Sequence, residues 1–176
     1  MKLWIVVLFL ALIVLYATTM EKQEVENMNP LTLSSPAFRH GEAVPARHTC
    51  DGHDSSPPLL IANVPARTRS LALIMDDPDA PSGTWVHWLV WNLPAATREI
   101  AENGLPREAV QGRNSWRRNG YGGPCPPSGS HRYVFRLFAL DVTLRLGAAA
   151  DRSELEQVMS GHILAHTELM GTYQRH

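Results

Sequence analysis

Gly120–Leu140 reads GYGGPCPPSGSHRYVFRLFAL and joins two kinds of chain: a proline-rich loop and an apolar run. Pro124, Pro126 and Pro127 have no backbone N–H and fix their own φ, so this loop is stiff and cannot form a central strand. Cys125 therefore holds the main-chain donor between Gly123 and Ser128, and the proline after it narrows its conformation further. The run Val134–Leu140 is fit for a strand. On such a strand His131 and Tyr133, two apart, share a face. A rigid donor loop beside an imidazole and a phenol predicts a small polar pocket suited to an anion.

Strands accumulate outward from this stretch. Ser70–Asp76 (SLALIMD) is a continuous apolar run of the kind that fills a buried strand, and Pro78 ends it. Val86–Leu93 is another, where simple alternation puts Trp85, His87, Leu89 and Trp91 on one face. Leu31–Phe38 reads as a short first strand and Glu168–Tyr173 as a last one. His48–Pro58 is dense in turn formers, and residues 95–119 read as a long irregular segment. Helix evidence comes late. Asp151 with Glu154 three residues on forms a capping-box pattern, and Leu155, Val158, Met159 and Ile163 follow at helical spacing. Many strands between Pro- and Gly-rich turns predict a mainly β fold, an antiparallel β-sandwich-like domain with a few peripheral helices.

Sixteen basic and seventeen acidic side chains nearly balance over 176 residues, one domain plus a short extension. Arg113, Arg117 and Arg118 make a local basic patch without aromatics interleaved on a strand, so no nucleic-acid partner is expected. Residues Leu3–Ala17 are uninterrupted apolar. We read residues 1–20 as a signal peptide or N-terminal membrane anchor, 21–30 as a linker and 31–176 as the domain. Lys2 before the apolar run and Glu21, Glu24 and Glu26 after it orient the domain outward. The expected location is extracytoplasmic, periplasmic or cell-surface, with the protein either anchored or secreted. In an oxidising compartment Cys50 and Cys125 are either bridged or two separate buried thiols; the sequence leaves both open.

The carboxylates of Asp76-Asp77-Pro78-Asp79 stand where a buried strand stops, and buried charge demands a partner. Asp76 and Asp79 read equally well as caps of a surface turn. Asp77 reads as a site residue that fixes the imidazole of His87. His162 and His166 would share a face if they lay on one helix, as zinc ligands can. Surface or capping histidines explain that spacing better, and no metal or other cofactor is expected. No G-x-S-x-G elbow is present and nothing activates Cys125 as a thiolate, so an enzyme is not the favoured reading.

Two segments, DDPDAPSGTWVHW (Asp76–Trp88) and GYGGPCPPSGSHRYVF (Gly120–Phe135), closely resemble the paired signatures of the phosphatidylethanolamine-binding protein family, including its bacterial Raf-kinase-inhibitor-like branch. HTCDGHDSSPPL at His48–Leu59, VPARTRSLALIMDD at Val64–Asp77 and GHILAHTELMGTYQR at Gly161–Arg175 support the match, which runs from about Leu31 onward. The resemblance implies packed antiparallel sheets and a pocket for phosphate-like anions. Its lining would be Asp77, Pro81, Trp85, His87, Cys125, Pro127, His131 and Tyr133. In that pocket His87, His131, Tyr133 and the Cys125 N–H would donate to the anion, while Trp85 and the prolines form apolar walls. Cys125 stands where many eukaryotic relatives have glycine, and the chain lacks the closing C-terminal helix of the animal proteins. The function so implied is an exported binding protein for a small anion or phospholipid head group that modulates a protein partner. The alternatives are a protease or kinase inhibitor acting through the pocket rim and, less favoured, a hydrolase using the Asp/His/Tyr cluster.

Overall fold

The computed structural model describes residues 30–175. The expected anchor over 1–20 and nearly all of the expected linker over 21–30 lie outside them. The described residues form two antiparallel sheets and one α-helix. Strands β1 (Thr32–Ser34), β2 (Leu59–Ala62) and β5 (Glu99–Ile100) make a small sheet in the order β1-β2-β5. Strands β3 (Ser70–Asp77), β4 (Trp85–Pro94), β6 (Val110–Gln111), β7 (Ser130–Leu140) and β8 (Ile163–Gln174) make a larger one, ordered β6-β4-β3-β7-β8. Helix α1 (Arg152–Met159) begins at Asp151 with both halves of the capping box in place, as its sequence predicts.

The large sheet is buried on both faces, which is why its central strand β3 has no polar alternation. One face meets the small sheet. Leu33, Leu59 and Ile61 pack there against Leu71, Leu73, Met75, Trp88 and Phe135. The other face carries Ala72, Ile74, Leu89 and Trp91 under Leu144, Leu155 and Met159. Each fully buried Leu, Ile or Met contributes about 2 kcal/mol of hydrophobic stabilisation. The expected sandwich of antiparallel sheets is what these two faces build.

Several details differ from the sequence reading. β1 is only Thr32–Ser34, because Pro36 interrupts the run read as Leu31–Phe38. The segment read as irregular contains β5 and β6, each two residues long. Ile163 does not extend the helix: α1 stops at Met159, Gly161 turns the chain at φ 81°, and Ile163 starts β8. The predicted last strand is present and longer, running Ile163–Gln174.

The largest departure is in β4. Across β3, Met75 faces Trp88 but Asp76 faces Val86, so His87 is an extra residue on its strand. Such a bulge breaks the period of two and re-aims side chains. Leu89 and Trp91 therefore pack with the helix, whereas Trp88 and Val90 enter the sandwich core. His87 does not share a face with Leu89 and Trp91.

Candidate functional site

The bulge turns His87 toward the proline-rich loop, and the two are locked reciprocally. The His87 carbonyl accepts from the Gly122 N–H at 3.1 Å, and the His87 Nδ1–H donates to the Gly122 carbonyl at 2.6 Å. A carbonyl can only accept, so the proton is on Nδ1 in this contact. Burial pushes the His87 pKa below its ordinary 6.5, with the Gly122 carbonyl and the Asp77 and Asp76 carboxylates pulling partly the other way.

Asp77 ends β3 on the same side. Its Oδ1 accepts from the Asp79 N–H at 2.8 Å, closing the turn held by Pro78, and its Oδ2 accepts from His131 Nδ1 at 2.7 Å. The sequence reading joined Asp77 to His87; the structure joins it to His131, the first buried residue of β7. Asp79 fastens the turn to β7 from outside. Its carboxylate accepts from the Arg132 backbone N–H at 2.9 Å and from Arg132 Nη2 at 2.7 Å, and that guanidinium holds its pKa down to about 2.

The loop over residues 120–129 closes the remaining side. Cys125 is bonded to Cys50 with their Cα atoms 5.5 Å apart, of the two arrangements that the sequence left open. The Cys50 N–H donates to the Pro124 carbonyl, and the Gly123 N–H donates to Asp54 Oδ1 at 2.6 Å. Gly123 has to be glycine: an added Cβ would stand 2.7 Å from the His48 carbonyl oxygen and 2.8 Å from Thr49 Cα.

These segments enclose a cavity of about 360 Å³ lined by Asp77, Pro81, Trp85, His87, Cys125, Pro127 and His131 among others. Seven of the eight residues singled out from the sequence are therefore brought together. Tyr133 is the exception. It lies fully buried behind the cavity, its ring edge-on to His87 at 5.2 Å between centroids. Its hydroxyl lies near the Asp77 carboxylate and the Cys125 N–H and makes no hydrogen bond among the described residues. Burial, reinforced by Asp77, pushes the phenol pKa well up, so it stays protonated.

The sequence reading missed other lining residues: Cys50, Asp54, Ala80, Ser82, Trp116, Arg118, Gly122 and Gly123. Trp116 meets Trp85 and His87 edge-to-face at 5.4 and 5.0 Å. The paired glycines at 122 and 123 were a signal of close approach, and His48–Pro58 a turn with no assigned neighbour. His162 and His166 are not on a helix. His162 Nδ1 contacts Asp141 Oδ1 at 2.9 Å, and His166 lies on β8 stacked on Phe138. Asp76 is not a cap but the centre of an ion-pair group on the opposite face of the sheet.

Both cavity histidines are thus held through Nδ1, and both rings line the cavity. In the neutral form Nε2 is an acceptor; it donates only once the ring takes a second proton. An imidazole held in this way can accept a hydrogen bond from a ligand hydroxyl or, once protonated, donate one to an anion.

Comparison with known proteins places this geometry in a family. A family model described as phosphatidylethanolamine-binding protein matches residues 34–174. A UPF0098 protein of Methanothermobacter thermautotrophicus is 46% identical over 150 residues, covering 82% of this chain and 99% of that protein. A putative phosphatidylethanolamine-binding protein homolog from Chlamydia trachomatis superposes with a TM-score of 0.81 at 42% identity, covering 84% of this chain and 99% of the other. E. coli YbcL, described as a new member of the mammalian PEBP family, gives 0.79 at 30% identity over 84% of this chain and 100% of its own.

Proposed function

The chain belongs to the phosphatidylethanolamine-binding protein family, and from that premise we propose that it is a non-enzymatic binding protein whose cavity takes a small phosphate-like anion, free or as a phospholipid head group. The observation that carries this reading is the pair of buried imidazoles. His87 and His131 each spend Nδ1 on the protein while their rings line the cavity. The Cys125 N–H and the Tyr133 hydroxyl add donors nearby, and the Trp85, Pro81 and Pro127 side chains give apolar walls. Asp77 does not face the anion as a bare carboxylate, because its two oxygens already accept from the Asp79 N–H and from His131 Nδ1. Burial lowers the His87 pKa, so an anion drawn against that imidazole is accompanied by proton uptake there.

A hydrolase is a weaker reading: Cys125 is tied into a disulfide and offers no thiolate. The apolar stretch Leu3–Ala17, together with an exposed disulfide, supports a domain that works outside the cytoplasm, anchored or secreted. There it would pass its bound state to a protein partner through the cavity rim.

Calorimetric titration of the full chain with inorganic phosphate, phosphoethanolamine and acetate tests the proposal. Wild type is expected to bind with millimolar-class affinity, about 4 kcal/mol, and His87→Ala to lose it. Steady turnover of a phosphate ester, abolished in His87→Ala, would replace the binding reading with a catalytic one.

A further inference from the structure

The cavity has a wall that the family resemblance did not supply. Residues 112–120 form a knuckle organised by Asn114, which is only 4% exposed. Asn114 Oδ1 accepts from the backbone N–H groups of Trp116 and Arg118 at 3.0 and 3.3 Å, and its Nδ2 donates to the Gly120 carbonyl at 3.1 Å. Ser115 fixes the knuckle to β4: its N–H donates to the Val86 carbonyl, and its Oγ accepts from the Val86 N–H. The Trp116 ring lies against Gly122, where an added Cβ would come within 2.6 Å of it. The Arg118 guanidinium stands 5.5 Å from the centroid of that ring. Trp116 and Arg118 both line the cavity.

Charge makes this placement consequential. Two carboxylates line the same cavity, Asp54 and Asp77. Asp54 accepts from the Gly123 N–H and Asp77 from His131. Arg118 makes no ion pair with any carboxylate among the described residues. An arginine held over an aromatic face, unpaired, beside an anion-sized cavity keeps its full charge and its fork of donors for a ligand.

We propose that Arg118, seated on Trp116, sets the charge class of the ligand, giving the cavity a preference for phosphomonoester dianions over carboxylate monoanions. This rests on the reading of the cavity as an anion site. A phosphomonoester offers three terminal oxygens, enough for a guanidinium fork and for an imidazolium at once. A carboxylate has two oxygens and one charge, and pairing it with an imidazolium leaves little for Arg118.

The test is calorimetric titration of the full chain at pH 7 with phenyl phosphate and with acetate. Wild type is expected to favour phenyl phosphate about tenfold or more. Arg118→Gln should weaken phenyl phosphate by about tenfold and acetate by less than about threefold, so that the preference collapses. Arg118→Lys, which restores charge without the fork, should fall between. Arg117→Gln changes the next side chain, which lines a separate depression with Arg113 and Ser153, and should behave as wild type. Arg118 is exposed, so all three variants should melt with the wild type. A wild-type ratio retained in Arg118→Gln overturns the inference while leaving the anion site standing. Folded wild type that binds neither probe overturns the anion reading and this inference with it.

Discussion

Asp76 and Asp77 are adjacent on β3 and almost equally hidden, at 0% and 4% exposure, yet the strand sends them to opposite faces with opposite fates. Asp76 Oδ2 receives two guanidinium groups, Arg136 Nη1 and Arg152 Nη1, each at 2.5 Å. Both arginines continue to second carboxylates, Glu168 and Glu156. Asp77 receives one imidazole and one backbone N–H. The difference is in the partner. A guanidinium does not lose its proton, so the charge on Asp76 is permanently balanced and the group serves as a clasp between β3, β7 and α1. The imidazole of His131 itself lines the cavity, so the Asp77–His131 pair belongs to the site and not to a clasp between elements.

The sharpest way to break this contrast is Asp76→Ala. It removes the buried acceptor shared by two partly buried guanidinium groups, leaving each only its outer glutamate, and a loss of about 2 kcal/mol is expected, read as a lowered midpoint in urea. Anion affinity per folded molecule should not change. A variant as stable as wild type would show the clasp to be dispensable.

Next in size, Asp77→Asn should cost about 1 kcal/mol of stability, since the amide oxygen can still accept from His131. Phosphate affinity should nevertheless fall by about tenfold, because the Asp77 carboxylate no longer favours a protonated His87. Unaltered affinity would reduce Asp77 to a structural role like that of its neighbour.

Proton linkage gives a finer probe. Proton uptake predicts phosphate affinity that rises by up to about tenfold per pH unit as pH falls from 8 toward 6.5, for one proton bound. The sign for stability is opposite. Burial lowers the His87 pKa in the fold below 6.5, so its contribution is present above pH 6.5 and is lost as pH falls through the lowered value. Bound phosphate should offset that loss. Melting curves with and without phosphate at pH 8, 7 and 6 check both signs, and a phosphate-induced shift independent of pH would contradict them.

The smallest expected effect separates the outer brace from the site. Arg132→Gln removes the guanidinium contacts to Asp79 but keeps the backbone N–H one. Exposed pairs of this kind contribute about 1 kcal/mol or less, and phosphate affinity should change less than about twofold. A larger loss would mean that the turn at Asp77 depends on its outer brace.

The fold was legible where a residue's environment follows from its near neighbours in sequence. SLALIMD read as a buried strand, and Asp151 with Glu154 read as a capping box; both are found as read. The Gly120–Tyr133 loop was legible for a similar reason, because prolines dictate its conformation locally. What failed depended on register between distant strands. The face of His87 is decided by a bulge opposite Met75 and Asp76, which no alternation pattern within β4 reveals. Pairing of Asp77 with His131 follows the alignment of β3 with β7, strands far apart in sequence. Arg118 was visible only as one of three arginines, since its place at the cavity is set by Asn114, whose bonds form only in the folded loop.

The Cys50–Cys125 bond ties together positions 75 residues apart and, in the chain-entropy view, contributes about 4 kcal/mol. Cys50 and Cys125 both line the cavity, so on the binding proposal oxidation completes the site as well as steadying the fold. Synthesis in a reducing compartment would yield the same strands with an untied rim. If the cavity binds as proposed, the step that readies it is the loss of two electrons and two protons from this thiol pair to an oxidant.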